Sequence, residues 1–133
     1  MMKHSPLVSI ISVNYDQPEV TCEMLASLRN LSYENLEIIV VDNGSPKFDP
    51  QIIKDKYPEI QLIKSKKNLG FAGGNNLAIK KASGKYLFFL NNDTEVKIDC
   101  IEPLVSLFES NSTAGIASPK IIFFESDDTI QYA

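Results

Sequence analysis

Tryptophan is absent from the 133 residues, histidine occurs once, cysteine twice, and no charge of either sign dominates. Cys22 and Cys100 lie far apart and each falls in an apolar helical pattern, which excludes a metal knuckle or a disulfide framework and leaves two buried thiols as the expectation. His4 stands alone near the start and carries no chemistry. Six glycines and seven prolines are too few for a fibrous or disordered chain. A net charge of -4 supplies no basic field for a polyanion, so no nucleic acid partner is expected. Lys64, Lys66 and Lys67 form a local basic cluster only. No apolar run is long enough to cross a bilayer, and Met1 to Pro6 lead into a strand-like segment without a signal region. A cytoplasmic setting is expected. Any peripheral association with the inner face of a membrane would belong to parts beyond this chain.

What is present suits one soluble domain. An apolar fraction of 44% and a charged fraction of 23% are ordinary. A chain of this length buries roughly two-thirds of its unfolded surface, and residues 1–133 read as a single domain. Leu7 to Val13, Leu36 to Val41, Ile60 to Ile63 and Tyr86 to Leu90 are apolar with few charges, as strands covered on both faces should be. Asp16 followed by Glu19 resembles a capping box, after which Val20, Met24, Leu25 and Leu28 form one helical face. Further helices are expected over Pro50 to Lys56, Asn76 to Ala82, and Ile101 to Phe108, where Ile101, Leu104, Val105 and Phe108 share a face. Gly115 to Phe124 reads as another strand, bent or at an edge because of Pro119. This alternation is the pattern of an α/β fold with a mostly parallel sheet and helices on both faces. Ligands of such sheets bind outside the carboxyl ends of the strands.

Polar clusters stand at those ends. Asn14, Tyr15 and Asp16 follow the first strand. Asp42, Asn43, Gly44 and Ser45 follow the second, where the Asp42 carboxylate would emerge at the sheet edge to accept a hydrogen bond from a base N–H or a ribose hydroxyl. The same Asp-Asn-Gly-Ser run is also strong turn chemistry. The segment Asn68 to Asn76 contains Gly70, Gly73 and Gly74 ahead of the expected helix, which suits backbone amides approaching an anion; a flexible connector is the plainer alternative. It matches neither the dinucleotide fingerprint nor the P-loop. Asn91, Asn92, Asp93, Thr94 and Glu95 follow the fourth strand. One carboxylate can suffice for Mg²⁺ or Mn²⁺, which keep waters and share substrate phosphates, and Asp93 fits that role; a solvated turn aspartate is the commoner use of such a residue.

Together, the runs Val8 to Tyr15, Ile39 to Ser45, Asn68 to Asn76 and Leu90 to Thr94 resemble the inverting family 2 glycosyltransferases of GT-A fold, especially the bacterial rhamnosyltransferase-like members. The resemblance covers nearly the whole chain. It implies a Rossmann-like nucleotide-sugar-binding domain in which Asn14 and Tyr15 border the nucleobase and Asp42 bonds it. Asn68, Gly70, Gly73, Gly74 and Asn75 would lie against the ribose and diphosphate. Asp93 would be the metal-binding end of the family's Asp-x-Asp-type motif, with Asn91 in its first acidic position and therefore secondary. The implied cofactor is Mg²⁺ or Mn²⁺, the donor a UDP- or dTDP-linked sugar, and the acceptor a saccharide or lipid-linked hydroxyl in cell-envelope polysaccharide assembly.

In that reaction the nucleoside diphosphate leaves the anomeric carbon while a carboxylate base deprotonates the acceptor. No base is assignable here. Relatives carry it beyond the Asp-x-Asp segment, and the sequence ends at Ile130 to Ala133, so a truncation before the acceptor-binding part is expected. Glu125, Asp127 and Asp128 read as a loop. Two other readings compete. A sugar-1-phosphate nucleotidyltransferase would want a glycine-rich basic loop after the first strand, which Asn14 to Pro18 lack. A non-catalytic nucleotide-sugar-binding module remains open.

Overall fold

The computed structural model describes residues 5–124 and 129–132; His4, Glu125, Asp127 and Asp128 lie outside the described residues. The chain divides into two compact units, Met1–Ile98 and Asp99–Ala133.

The first unit is built on β1 (Val8–Asn14), β2 (Leu36–Asp42), β3 (Gln61–Lys64) and β4 (Tyr86–Phe89), all parallel, in the order β3-β2-β1-β4. β-Branched residues explain both the strands and their central place: Ile10, Ile11, Ile39, Val40 and Val41 are wholly buried, as strands covered on both faces must be. The covering helices are α1 (Pro18–Leu28), α2 (Gln51–Lys56) and α3 (Gly70–Ile79). The Thr21 hydroxyl of α1 bonds Asn14, so α1 lies over the face bearing Ile10, Ser12 and Asn14. Ala78 of α3 packs with Ile11, Ile39 and Val41 on the opposite face. Helices therefore cover both faces of a parallel α/β sheet, as expected. The Tyr57 hydroxyl, just past α2, donates to the Cys22 carbonyl of α1 at 2.8 Å.

Three sequence expectations are corrected. Asp16 does not cap α1: the N-cap is Gln17, and no side chain caps the helix. Asp16 has φ 54, and this left-handed conformation sends its carboxylate to the backbone N–H groups of Lys47 and Phe48, at 2.9 and 3.4 Å. Pro18 at the first helical position supplies the preset φ instead. The second correction moves the start of α3 from Asn76 to Gly70. Packing overrides helix propensity there, because a Cβ on Gly74 would stand 3.1 Å from both Val13 methyls. The third removes most of a strand. In the second unit, which begins with α4 (Ile101–Ser110), only β5 (Ile121–Ile122) forms within 115–124, pairing antiparallel with β6 (Ile130–Tyr132). Pro119 has no N–H for a ladder. Cys22 is buried as expected, whereas Cys100 is only partly so. Among the described residues no helix is long and apolar enough to cross a membrane.

At the amino ends of the strands, Glu37 ties β2 to the segment leading into β4. Ser9 Oγ, Ser83 N and Oγ, and Gly84 N all donate to its carboxylate. Partial burial works against the charge, but these hydrogen bonds together hold the Glu37 carboxyl below the usual carboxylate range. A depressed native pKa contributes stability above the unfolded value of about 4.3, and that stability is lost as pH falls through the native value. Glu37→Gln should destabilise the chain by about 1–3 kcal/mol at neutral pH. In urea titrations the gap to wild type should shrink below about pH 4; a gap that stays constant with pH would refute the charge-dependent part.

Candidate functional site

β1 and β2 end in register, with Asn14 opposite Asp42. Parallel neighbours in register point to the same face, so the two side chains meet: Asn14 Nδ2 donates to Asp42 Oδ1 at 2.8 Å. Asn14 Oδ1 accepts from Thr21 Oγ1 at 2.8 Å, so both ends of the amide are engaged. Gly44, with φ 75, turns the chain back on itself. Ser45 then donates from its hydroxyl to Asp42 Oδ1 and from its N–H to Oδ2 at 3.1 Å. Ser45 Oγ also accepts from Asp16 N at 2.8 Å, joining the loops after β1 and β2.

This geometry changes the picture of Asp42. Its carboxylate does not emerge at the sheet edge but is only 3% exposed, with Asn14 at 1%. The in-register amide and the returning serine turn it inward. Oδ1 takes two bonds and Oδ2 one, leaving capacity on Oδ2 for one more donor. Tyr15, next along the chain, is exposed.

Asn43, also 3% exposed, joins the end of β2 to the start of α3. Its Nδ2 donates to Asn68 Oδ1 and to the Gly70 carbonyl, each at 3.0 Å, and its Oδ1 accepts from Leu69 N at 2.9 Å. Asn68 Oδ1 accepts in addition from Gly70 N at 2.8 Å. The N–H groups of Leu69 and Gly70 are thus already used, and the rest of the first turn of α3 has no side-chain cap. A Cβ on Gly44 would fall 2.6 Å from the Lys67 carbonyl carbon, which shows how closely the two loops approach. Of the three glycines expected to form an open loop, only Gly70 has positive φ, at 73. Gly73 and Gly74 lie inside the helix, where a Cβ on Gly73 would meet Leu69 Cβ at 2.7 Å. Asn75 is buried and donates to the Phe71 carbonyl at 3.0 Å.

The segment after β4 makes a turn closed by Thr94 N to the Asn91 carbonyl at 3.3 Å. Asn91 and Asp93 are exposed, and Asn92 between them points inward. Asn92 Nδ2 donates to Thr21 Oγ1 at 3.2 Å and reaches Gln17 Oε1 at 3.5 Å. No cluster of three or more His, Cys, Asp or Glu able to hold a metal occurs among the described residues. Asp93 with Asn91 still offers hard oxygen ligands in the open, which suits an ion that completes its shell with water and phosphate oxygens. Thr21, Asn43, Ser45 and Asn92 have structural roles here that no motif in the sequence assigns to them. Three of these stand inside the recognised runs, but Thr21 had no signal beyond being a polar residue on the buried side of α1.

The profile of the family described as glycosyl transferase family 2 matches residues 9–133. An uncharacterised glycosyltransferase of Haemophilus influenzae is 37% identical over 83% of this chain, which spans 35% of that relative. A putative teichuronic acid biosynthesis glycosyltransferase of Bacillus subtilis is 29% identical over 86% of this chain and 46% of its own length. Among solved structures, S. aureus TarS in complex with UDP-GlcNAc superposes with a TM-score of 0.67 at 20% identity, covering 90% of this chain and 41% of that one. A mannosyltransferase from Pyrobaculum calidifontis, in complex with GDP-Man and Mn²⁺, gives 0.64 at 23% identity over 70% of this chain and 29% of that one. At these identities the structures show the shared fold, and the chain spans less than half the length of each of these proteins. On the match over residues 9–133, the chain belongs to glycosyl transferase family 2.

Proposed function

We propose that this chain is the donor-binding part of an inverting glycosyltransferase that takes a UDP- or dTDP-linked hexose, rhamnose included, together with Mg²⁺ or Mn²⁺. The reading is carried by one observation: the Asn14–Asp42 pair, the start of α3 and the Asn91–Asp93 turn all stand at the carboxyl ends of one parallel sheet. Tyr15 supplies an exposed ring on the residue after Asn14, whose amide holds a buried carboxylate with one acceptor site to spare, a combination suited to a nucleobase bearing an N–H. Asn68 and Gly70 border the ribose and diphosphate, with Gly73 and Asn75 in the first turns of α3 behind them, while Gly74 seats α3 close to Val13 of β1. Asp93, seconded by Asn91, would hold the metal, whose chemistry when bound is neutralisation of the leaving diphosphate.

Support comes from the company the chain keeps, since one structural neighbour holds UDP-GlcNAc and another GDP-Man with Mn²⁺. The relative named for teichuronic acid biosynthesis supports a saccharide acceptor; a lipid-linked acceptor and a place at the cytoplasmic face of the cell envelope are part of the same proposal. Three described rim carboxylates are already engaged and none of them is assigned as the acceptor base: Asp16 serves two backbone N–H groups, Asp42 is buried, and Asp93 is assigned to the metal.

Calorimetry with UDP and dTDP should show binding that tightens with Mn²⁺, and Asp93→Ala should remove the metal-dependent part. Equal metal dependence in the variant would sink the assignment of Asp93. The purified chain supplied with nucleotide sugar and an acceptor should transfer no sugar; turnover would require a base among these residues.

A further inference from the structure

A continuous line of hydrogen bonds crosses the rim beneath the exposed groups. Asn92 Nδ2 donates to Thr21 Oγ1 at 3.2 Å, Thr21 Oγ1 donates to Asn14 Oδ1 at 2.8 Å, and Asn14 Nδ2 donates to Asp42 Oδ1 at 2.8 Å. Every donor points toward the carboxylate, so each bond polarises the next. Thr21, Asn14 and Asp42 are buried, which makes a broken link costly. The line begins in the turn that displays Asp93 and ends on the residue assigned to the nucleobase.

Thr21 joins the two ends. A hydroxyl accepts and donates at once, and here it does both, between an amide of the turn after β4 and an amide at the end of β1. It also has a rival acceptor, the Gln17 carbonyl at 3.0 Å in the preceding helical turn. Were its proton given to Gln17, Asn14 Oδ1 would be left buried without a donor. Holding Asn92 inward leaves Asn91 and Asp93 facing outward. The orientation of the metal-side turn is thereby linked to the orientation of the amide that fixes Asp42.

The geometry points to Thr21 as a positioning residue that couples the metal-side turn to the nucleobase-side carboxylate, so that the line Asn92, Thr21, Asn14, Asp42 adds to the mutual strengthening of divalent metal and nucleotide that their direct contact at the diphosphate provides. This inference rests on the donor-site reading above. It touches no ligand directly and needs no movement larger than the rotation of one hydroxyl. Linkage makes the effect reciprocal: whatever factor Mn²⁺ adds to UDP affinity, UDP adds to Mn²⁺ affinity.

The test is calorimetric titration of UDP with and without Mn²⁺, and of Mn²⁺ with and without UDP, on the whole chain and three variants. The enhancement ratio is the readout, because a variant that merely loosens the fold lowers both affinities without changing their ratio. Thr21→Val keeps the shape and removes the hydroxyl, and its ratio should fall by roughly fivefold or more. Thr21→Ser should restore the wild-type ratio. Asn92→Ala, at a partly exposed site, cuts the line at its other end and should reproduce the loss even if Thr21→Val fails to fold. A folded Thr21→Val or Asn92→Ala with the wild-type ratio would overturn the coupling, as would Thr21→Ser behaving like Thr21→Val. Wild type that binds UDP with no response to Mn²⁺ would overturn both the coupling and the metal assignment, whereas a responsive wild type with indifferent variants would remove the coupling alone.

Discussion

A carboxylate buried at the carboxyl end of a parallel sheet is the constraint on which the rim depends. Taking Asp42 out of water costs several kcal/mol unless donors replace the lost hydration. Asn14, Ser45 Oγ and Ser45 N supply those donors. Each requirement then propagates. Asn14 must be in register with Asp42, which fixes the β1–β2 pairing, and Gly44 must turn through positive φ to return Ser45. Thr21 must satisfy the far end of the Asn14 amide, which fixes how α1 sits on its face.

Asn43 plays the matching part on the other face. Its three hydrogen bonds hold the segment 68–70, and so position the start of α3 against the sheet. Successive residues at the end of one strand point to opposite faces, so Asp42 organises the α1 side and Asn43 the α3 side. The result is a rim whose exposed groups, Tyr15, Asn68, Asn91 and Asp93, rest on buried polar ones. That division suits a site on a rigid scaffold, with displayed residues free to meet a ligand.

The central strands were legible because Ile10, Ile11 and Ile38 to Val41 form runs that only a sheet covered on both faces accommodates. The helix over 101–108 was legible from its spacing. Local pattern misled where tertiary contact decided. Gly73 and Gly74 read as loop residues, yet both are helical, Gly74 where α3 approaches Val13 and Gly73 where a Cβ would meet Leu69. Asp16 and Glu19 matched a capping box, yet Asp16 serves the 47–48 backbone instead. For the site, the residues after each strand could be recognised as clusters. What could not be read was their inward wiring: Thr21 and Asn92 meet across 71 positions of sequence, and neither belongs to a motif that specifies the other.

Under the proposed function, the Asn14–Asp42 pair forms the floor of a nucleotide site. A crystal structure of the chain grown with UDP and MnCl₂ tests it most directly. Uracil should lie beside Tyr15, with Asp42 Oδ2 within about 2.7–3.2 Å of a base nitrogen while the Asn14–Asp42 bond stays intact. UDP bound away from this rim, or at the rim with Asp42 sealed from the base by Asn14 and Ser45, would contradict it.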